Sequence, residues 1–314
     1  MARSDNNIPS RLARVKNYIR KHPAADLSVD ELARIANLSP YHFHRVFKQI
    51  EQETPYQFVQ RVRLTGAAQR LRSHPNLTIS QAALDAGYDN PDAFSRAFRQ
   101  YFGMSPAHWN RNDPLQERKI GRVENEFPVY SVDELQERFA DTGLEVILKT
   151  LPATPLASVH IPDAYQHQQE VMQAYDNLMM WQAQQQKDSY QLLGMSWDDP
   201  DLTPVSDCTF VWSLMMPEGV PKDHPSWLVE ENLPETLTAQ VWLEGSLAQE
   251  DILLQYLYRV WLPESEYLPA HVPGMEIYDT LPHVTGWQTF RLWCALPIVH
   301  RRDESSYDNT NFNK

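Results

Sequence analysis

Two groups of side chains in this 314-residue chain have types and spacings suited to chemistry. Tyr41, His44, Arg45 and Lys48 recur at the three- and four-residue steps that bring side chains to one helix face. Ser95, Arg96 and Arg99 follow the same scheme behind Asn90 and Pro91. A guanidinium can pair with two acceptors on guanine, neutralise a phosphate, or hold an internal acid, and all three readings stand for Arg45 and Arg96. Asp92 reads as a charge partner for a helix start, and His42 as a packing residue. The second group lies in strand patterns. Alternation puts Glu276 on the face opposite Met275 and Ile277, with Tyr278 beside it. Taken alone, that makes Glu276 a solvent-facing strand glutamate. Eight of the nine tryptophans follow residue 144, Trp197 and Trp242 among them. A carboxylate in an apolar cleft walled by such rings would suit a lipophilic cation. There is no Ser-His-Asp order, metal-ligand spacing or phosphate loop, so no catalytic residue, metal or cofactor is expected.

The elements that must position the first group are helical. Val29–Ala36 has apolar residues at helical spacing, Asn37–Leu38 is a turn, and Ser39-Pro40 caps a second helix through Ile50. The scheme repeats: Ile79, Ala82 and Ala83 on one helix, Gly87 at the turn, then Asn90-Pro91 and a helix burying Phe94, Phe98 and Phe102. Ile8–Lys21 is a leading amphipathic helix. Thr54-Pro55 opens a connecting helix to about Ser73, with Tyr56, Phe58, Val59, Val62 and Leu71 inward. At ~1.5 Å per residue it separates the two outward faces by about a turn of DNA.

Net charge is −13, an odd balance for a chain with outward basic helix faces. It is split. Residues 8–113 hold 15 Lys+Arg and 9 Asp+Glu, whereas residues 114–314 hold 12 and 31. A basic helical domain is thus followed by an acidic domain expected to stay off DNA. No apolar run approaches a membrane span, and a cytoplasmic protein is expected. Cys208 and Cys294 read as buried free thiols.

Ile79-Ser80-Gln81-Ala82-Ala83, Gly87-Tyr88, Phe94–Arg99, Phe102-Gly103 and Ser105-Pro106 resemble the C-terminal signature of AraC-type transcription regulators. The signature departs at its edge, where Asn110 stands in place of the usual arginine. The resemblance implies a tandem helix-turn-helix domain over 8–113 that binds double-stranded DNA, with Tyr41, His44 and Arg45 at base-contacting positions.

After a linker at 114–143, with a short helix at Val132–Phe139, residues 144–300 read as an α+β domain. Strand, helix, strand, strand occurs twice, suggesting two pseudo-equivalent modules around a shared cleft. Residues 301–314 form a polar tail. Gly194–Pro200, Trp261–Tyr267 and Glu276-Ile277-Tyr278 resemble a GyrI-like effector-binding domain. That resemblance implies a small-molecule effector, lipophilic or cationic, with Glu276 as the cleft carboxylate; Tyr278, Trp197 and Trp242 are further lining candidates. It leaves two alternatives, a glutamate-dependent hydrolase and a module that binds a protein partner. RNA polymerase is a further candidate partner.

Overall fold

The computed structural model describes residues 8–74, 76–109, 128, 130–185, 190–199 and 202–302. Its helical part begins with α1 (Ile8–Lys21), whose Leu12, Val15 and Ile19 pack against Leu32, Phe43, Phe47 and Phe58. The first helix-turn-helix pairs α2 (Val29–Ile35) with α3 (Pro40–Glu51). Ser28 and Ser39 accept hydrogen bonds from backbone N–H groups in the first turns, satisfying donors that no helical carbonyl reaches. The connecting helix α4 (Pro55–Ser73) starts with a capping box of Thr54 and Gln57. The second unit pairs α5 (Ile79–Asp85) with α6 (Pro91–Phe102). Its turn needs glycine: Gly87 has φ 72°, and a Cβ there would stand 2.9 Å from both the Pro23 carbonyl oxygen and the Ala24 Cα.

Two inward expectations fail. Tyr56, in the first turn of α4, is 66% exposed and its hydroxyl accepts from Gln60 on the outer face. His42 is exposed, because Phe43 and Phe47 already fill the buried side of α3.

In the predicted linker, α7 (Val132–Phe139) forms with its own capping box, Ser131 and Glu134. The rest of that linker is outside the described residues except positions 128, 130, 131 and 140–143. The predicted tail is outside them beyond Arg302, and so are Asn110 and Arg111.

The second domain is one antiparallel sheet with helices on a face. Its strands are β1 (Ile147–Leu151), β2 (Thr154–Pro162), β3 (Leu192–Ser196), β4 (Thr209–Met215), β5 (Val229–Leu233), β6 (Thr236–Gly245), β7 (Tyr267–Pro269), β8 (Gly274–Thr280) and β9 (Phe290–His300). Helix α8 (Gln168–Gln182) follows β2 and α9 (Leu247–Tyr256) follows β6, the latter continuing as a π turn through Trp261. The strand order β1-β6-β9-β8-β3-β4-β2-β5 sets the two modules side by side, β6-β9-β8 against β3-β4-β2, joined by the β3–β8 pair. The two expected repeats are therefore real, and they meet at one seam. β5 and β7 were not expected: β5 centres on the polar run Glu230-Glu231-Asn232, and β7 has three residues. On one face Tyr175 and Leu178 of α8 and Leu253 of α9 pack with Trp212, Tyr278 and Leu292, while Met195, Val211, Met275 and Ile277 form a separate cluster. Cys208 and Cys294 are both buried free thiols.

The acidic domain docks on the basic one. Leu202, 1% exposed, completes the core of the second helix-turn-helix with Phe94, Phe98 and Trp109. Asp198 accepts from Arg20 Nη2 of α1 at 2.9 Å and from Arg61 Nη1 of α4 at 3.2 Å. Asp199 accepts from Arg72 Nη2, further along α4, at 2.7 Å. Asn17 donates to Glu231, and Lys21 Nζ to the Asn232 carbonyl at 3.3 Å. Part of the basic excess of residues 8–113 is thus committed to the neighbouring domain.

Candidate functional site

Helix α3 presents Tyr41 (78% exposed), His44, Arg45 and Lys48, which line an open concavity of about 600 Å³. On α6, Arg96 and Arg99 are exposed and Ser95 is half-buried. Asn90 is exposed, but its carboxamide oxygen accepts from the Asp92 N–H at 2.7 Å and so caps the helix. Among the described residues, Arg45, Lys48, Arg96 and Arg99 take part in no ion pair, in contrast to Arg20, Arg61 and Arg72. The 19 residues of α4 span about 28 Å between the two units, close to a turn of DNA at about 34 Å.

The second candidate site lies at the seam of the sheet. Glu276 on β8 is in register with Gly194 on β3 and with Cys294 on β9. Tyr278, two residues on and on the same face, donates its hydroxyl to Glu276 Oε2. Rings continue outward from there. Trp212 is 5.4 Å from Tyr278, Phe210 is 4.8 Å from Trp212, and Trp287 is 5.0 Å from Tyr175. Gly194 leaves the space the carboxylate occupies: a Cβ there would be 2.6 Å from Glu276 Oε2 and 2.8 Å from Phe210 Cζ. Burial raises the Glu276 carboxyl to about 7, against the opposing pull of the Tyr278 hydrogen bond. Glu250 on α9 is 4% exposed and its carboxyl is raised well above the ordinary carboxylate range, first by burial and then by the charge of Glu276. Two acids that resist ionising together would welcome a cation.

The four expected lining residues are not brought together. Glu276 and Tyr278 are adjacent. Trp242 is on the opposite face of the sheet, since its register partner Trp293 also pairs with Ile277; the two rings are 5.3 Å apart. Trp197 is at the domain boundary, with the Arg20 guanidinium 5.2 Å from its ring. Sequence reasoning assigned no role to Gly194, Glu250, Asp198 or Asp199. The first two had a signal: a glycine inside a strand marks close approach, and Glu250 falls on the helical stripe of Leu253 and Leu257.

Residues 32–112 match the helix-turn-helix domain family, and residues 144–296 match the GyrI-like small molecule binding domain family. The chain is thus built from an AraC-type helix-turn-helix module followed by a GyrI-like module. Among curated proteins it is similar to the probable transcriptional regulator LumQ of Photobacterium leiognathi, 37% identical over 95 residues. That match covers 30% of this chain and 38% of the relative. It is also similar to the bifunctional transcriptional activator/DNA repair enzyme AdaA of Bacillus subtilis, 32% identical over 107 residues, or 34% of this chain and 50% of the relative. The chain therefore spans at most about half the length of these two relatives. Among solved structures, the DNA-binding domain of AdpA in complex with a target DNA is 29% identical, with a TM-score of 0.30, covering 32% of this chain and 89% of that one.

Proposed function

We propose that the protein is a sequence-specific DNA-binding transcription regulator whose second domain senses a lipophilic cation. Two exposed basic helix faces, held by one connecting helix, support binding to successive major-groove faces of a duplex by a single chain. Arg45 and Arg96 are the candidate base readers, with Tyr41, His44, Lys48, Asn90, Ser95 and Arg99 around them. The observation that carries the sensing half is the Glu276 carboxyl at the seam of the two modules, hydrogen-bonded by Tyr278 among packed aromatic rings.

The path from sensor to DNA is short. Gly194, against the Glu276 carboxylate, sits on the strand that leads within a few residues to Asp198 and Asp199, and those acids grip α1 at Arg20 and α4 at Arg61 and Arg72. A ligand that displaces Glu276 would move β3 against the helix that spaces the two DNA-facing units. It can do so only through a difference in affinity for the two arrangements. The resulting change at a promoter would be read by RNA polymerase. The test is the affinity of the full chain for a selected DNA sequence with and without saturating lipophilic cation, in the native protein and in Asp198→Asn. A ligand-dependent change lost in the variant supports this path; unchanged DNA affinity and DNA bending in the native protein rule it out.

A hydrolytic reading has one observation in its favour, a carboxyl raised to about 7 beside a tyrosine, as a general base would need. Release of product from activated ester probes, abolished in Glu276→Gln, would establish it.

A further inference from the structure

The two helix-turn-helix units close their cores differently. Among the described residues, the apolar core of the first draws only on positions 8–62, with α1 packed on α2 and α4. The core of the second spans positions 64–109 and takes in one residue from the other domain, Leu202. Phe94, Phe98 and Phe102 of α6 run along one side of that core, where Trp109 meets Phe98 at 5.1 Å and Phe102 at 4.9 Å. Arg96 and Arg99 project from the outer side of the same helix.

Leu202 is presented by a fixed turn. The Asp199 carbonyl accepts from the N–H groups of Leu202 at 2.9 Å and Thr203 at 2.8 Å. The Asp199 carboxylate accepts from Arg72 Nη2 on α4 at 2.7 Å. One residue thus fixes both the turn that carries Leu202 and the ion pair that ties this turn to the connecting helix. Thr203 is buried, and the Cys208 thiol donates to the Pro204 carbonyl at 3.5 Å, which secures the turn on its far side. Beside Leu202 a cavity of about 110 Å³ separates α4 and α5 from 197–199 and 270–272. Truncating the leucine would enlarge this void, and such truncations cost more the larger the cavity they leave.

We infer that Leu202 is a positioning residue for DNA reading: the acidic domain completes the second helix-turn-helix and sets the aim of α6, while the first unit stands without it. The inference rests on the DNA-binding reading given above. Close-packed interiors transmit displacements, so a shift of Leu202 moves the buried side of α6 and with it Arg96 and Arg99. A change in domain docking is then felt at one of the two DNA-facing helices. The chain can loosen its grip on part of its DNA site while the rest stays engaged.

The test is a double-mutant cycle on the affinity of the full chain for a DNA sequence selected with the native protein. Removing the basic face of α6 (Arg96→Ala with Arg99→Ala) or that of α3 (Arg45→Ala with Lys48→Ala) should weaken native binding about tenfold or more. In the Leu202→Ala background, loss of the α6 face should cost about twofold or less, and loss of the α3 face as much as before. Leu202→Met, of similar volume, should restore the native pattern, and Leu202→Val serves if the alanine variant does not fold. Without DNA, amide hydrogen exchange in Leu202→Ala should be faster in α5 and α6 and unchanged in α2 and α3. Additive effects of Leu202→Ala and the α6 changes would overturn the inference. So would an equal discount on both faces, equal acceleration in both units, or an α6 face whose removal costs the native chain nothing. A native chain that selects no DNA sequence would take the DNA-binding reading down as well, whereas additivity on a selected sequence removes this inference alone.

Discussion

Gly194 and Glu276 face each other in register across the seam of the two modules, and the carboxylate fills the space that a side chain at Gly194 would occupy. The proposed sensing group and the start of the strand leading to the domain boundary are therefore in contact. A ligand cannot move one without pressing on the other.

Gly194→Ala tests that contact. The added methyl meets Glu276 Oε2 and the Phe210 ring at distances real Cβ atoms do not show, so one of them must shift. Overpacking of this kind costs about 1–3 kcal/mol. Chemical denaturation should show that loss, and binding of lipophilic cations should weaken in parallel. Native stability and binding would mean that the carboxylate has room to spare.

The raised Glu276 carboxyl makes stability depend on pH with a definite sign. Its folded value, about 7, lies above the ordinary carboxylate value of 4.5, so the folded state holds the proton longer than the unfolded chain. The stability contributed by the protonated form is present below pH 4.5 and is lost as pH rises to about 7. Thermal unfolding of Glu276→Gln should lack this fall, making the variant relatively more stable above pH 7. Identical pH profiles would place the carboxyl in an ordinary solvated setting.

Asp198 balances two buried guanidiniums, and removing it strands Arg20, whereas Arg61 keeps Glu53 at 2.6 Å. Asp198→Asn should cost about 3–5 kcal/mol, the usual penalty for leaving buried charge unpaired. Differential scanning calorimetry should show the two domains losing their common transition. A single transition at the native temperature would mean that Leu202 and its neighbours hold the interface alone.

Arg96 is exposed and, among the described residues, has no ion-pair partner. Arg96→Ala should cost about 1–3 kcal/mol on a selected DNA site and relax choice at one base pair. Equal weakening on random DNA would reduce it to a phosphate contact.

Most of the helical domain was legible because its signals are local. Ser39-Pro40, Thr54-Pro55 and Asn90-Pro91 each start a helix where expected, and Phe94, Phe98 and Phe102 repeat on one stripe. In the sheet, alternation put Tyr278 beside Glu276, and the hydrogen bond between them bears out that placement. Partners distant in sequence were not legible. Alternation cannot say which strand lies next to β8, so the role of Gly194 was hidden. Trp197 and Trp242 were grouped with Glu276 by residue type, which carries no information about sheet face. The charge split marked a basic domain and an acidic one, but Arg20, Arg61 and Arg72 belong energetically to both, a pairing that appears only once Asp198 and Asp199 are folded against them.

The most direct test of the sensing claim is tryptophan fluorescence quenching by an aromatic quaternary ammonium compound and by its neutral carbon isostere, in the native chain and in Glu276→Gln. Saturable quenching that favours the cation by about 1–4 kcal/mol is expected in the native chain, with no such preference in the variant. Equal affinity for both compounds, or a cation preference that survives Glu276→Gln, would contradict it.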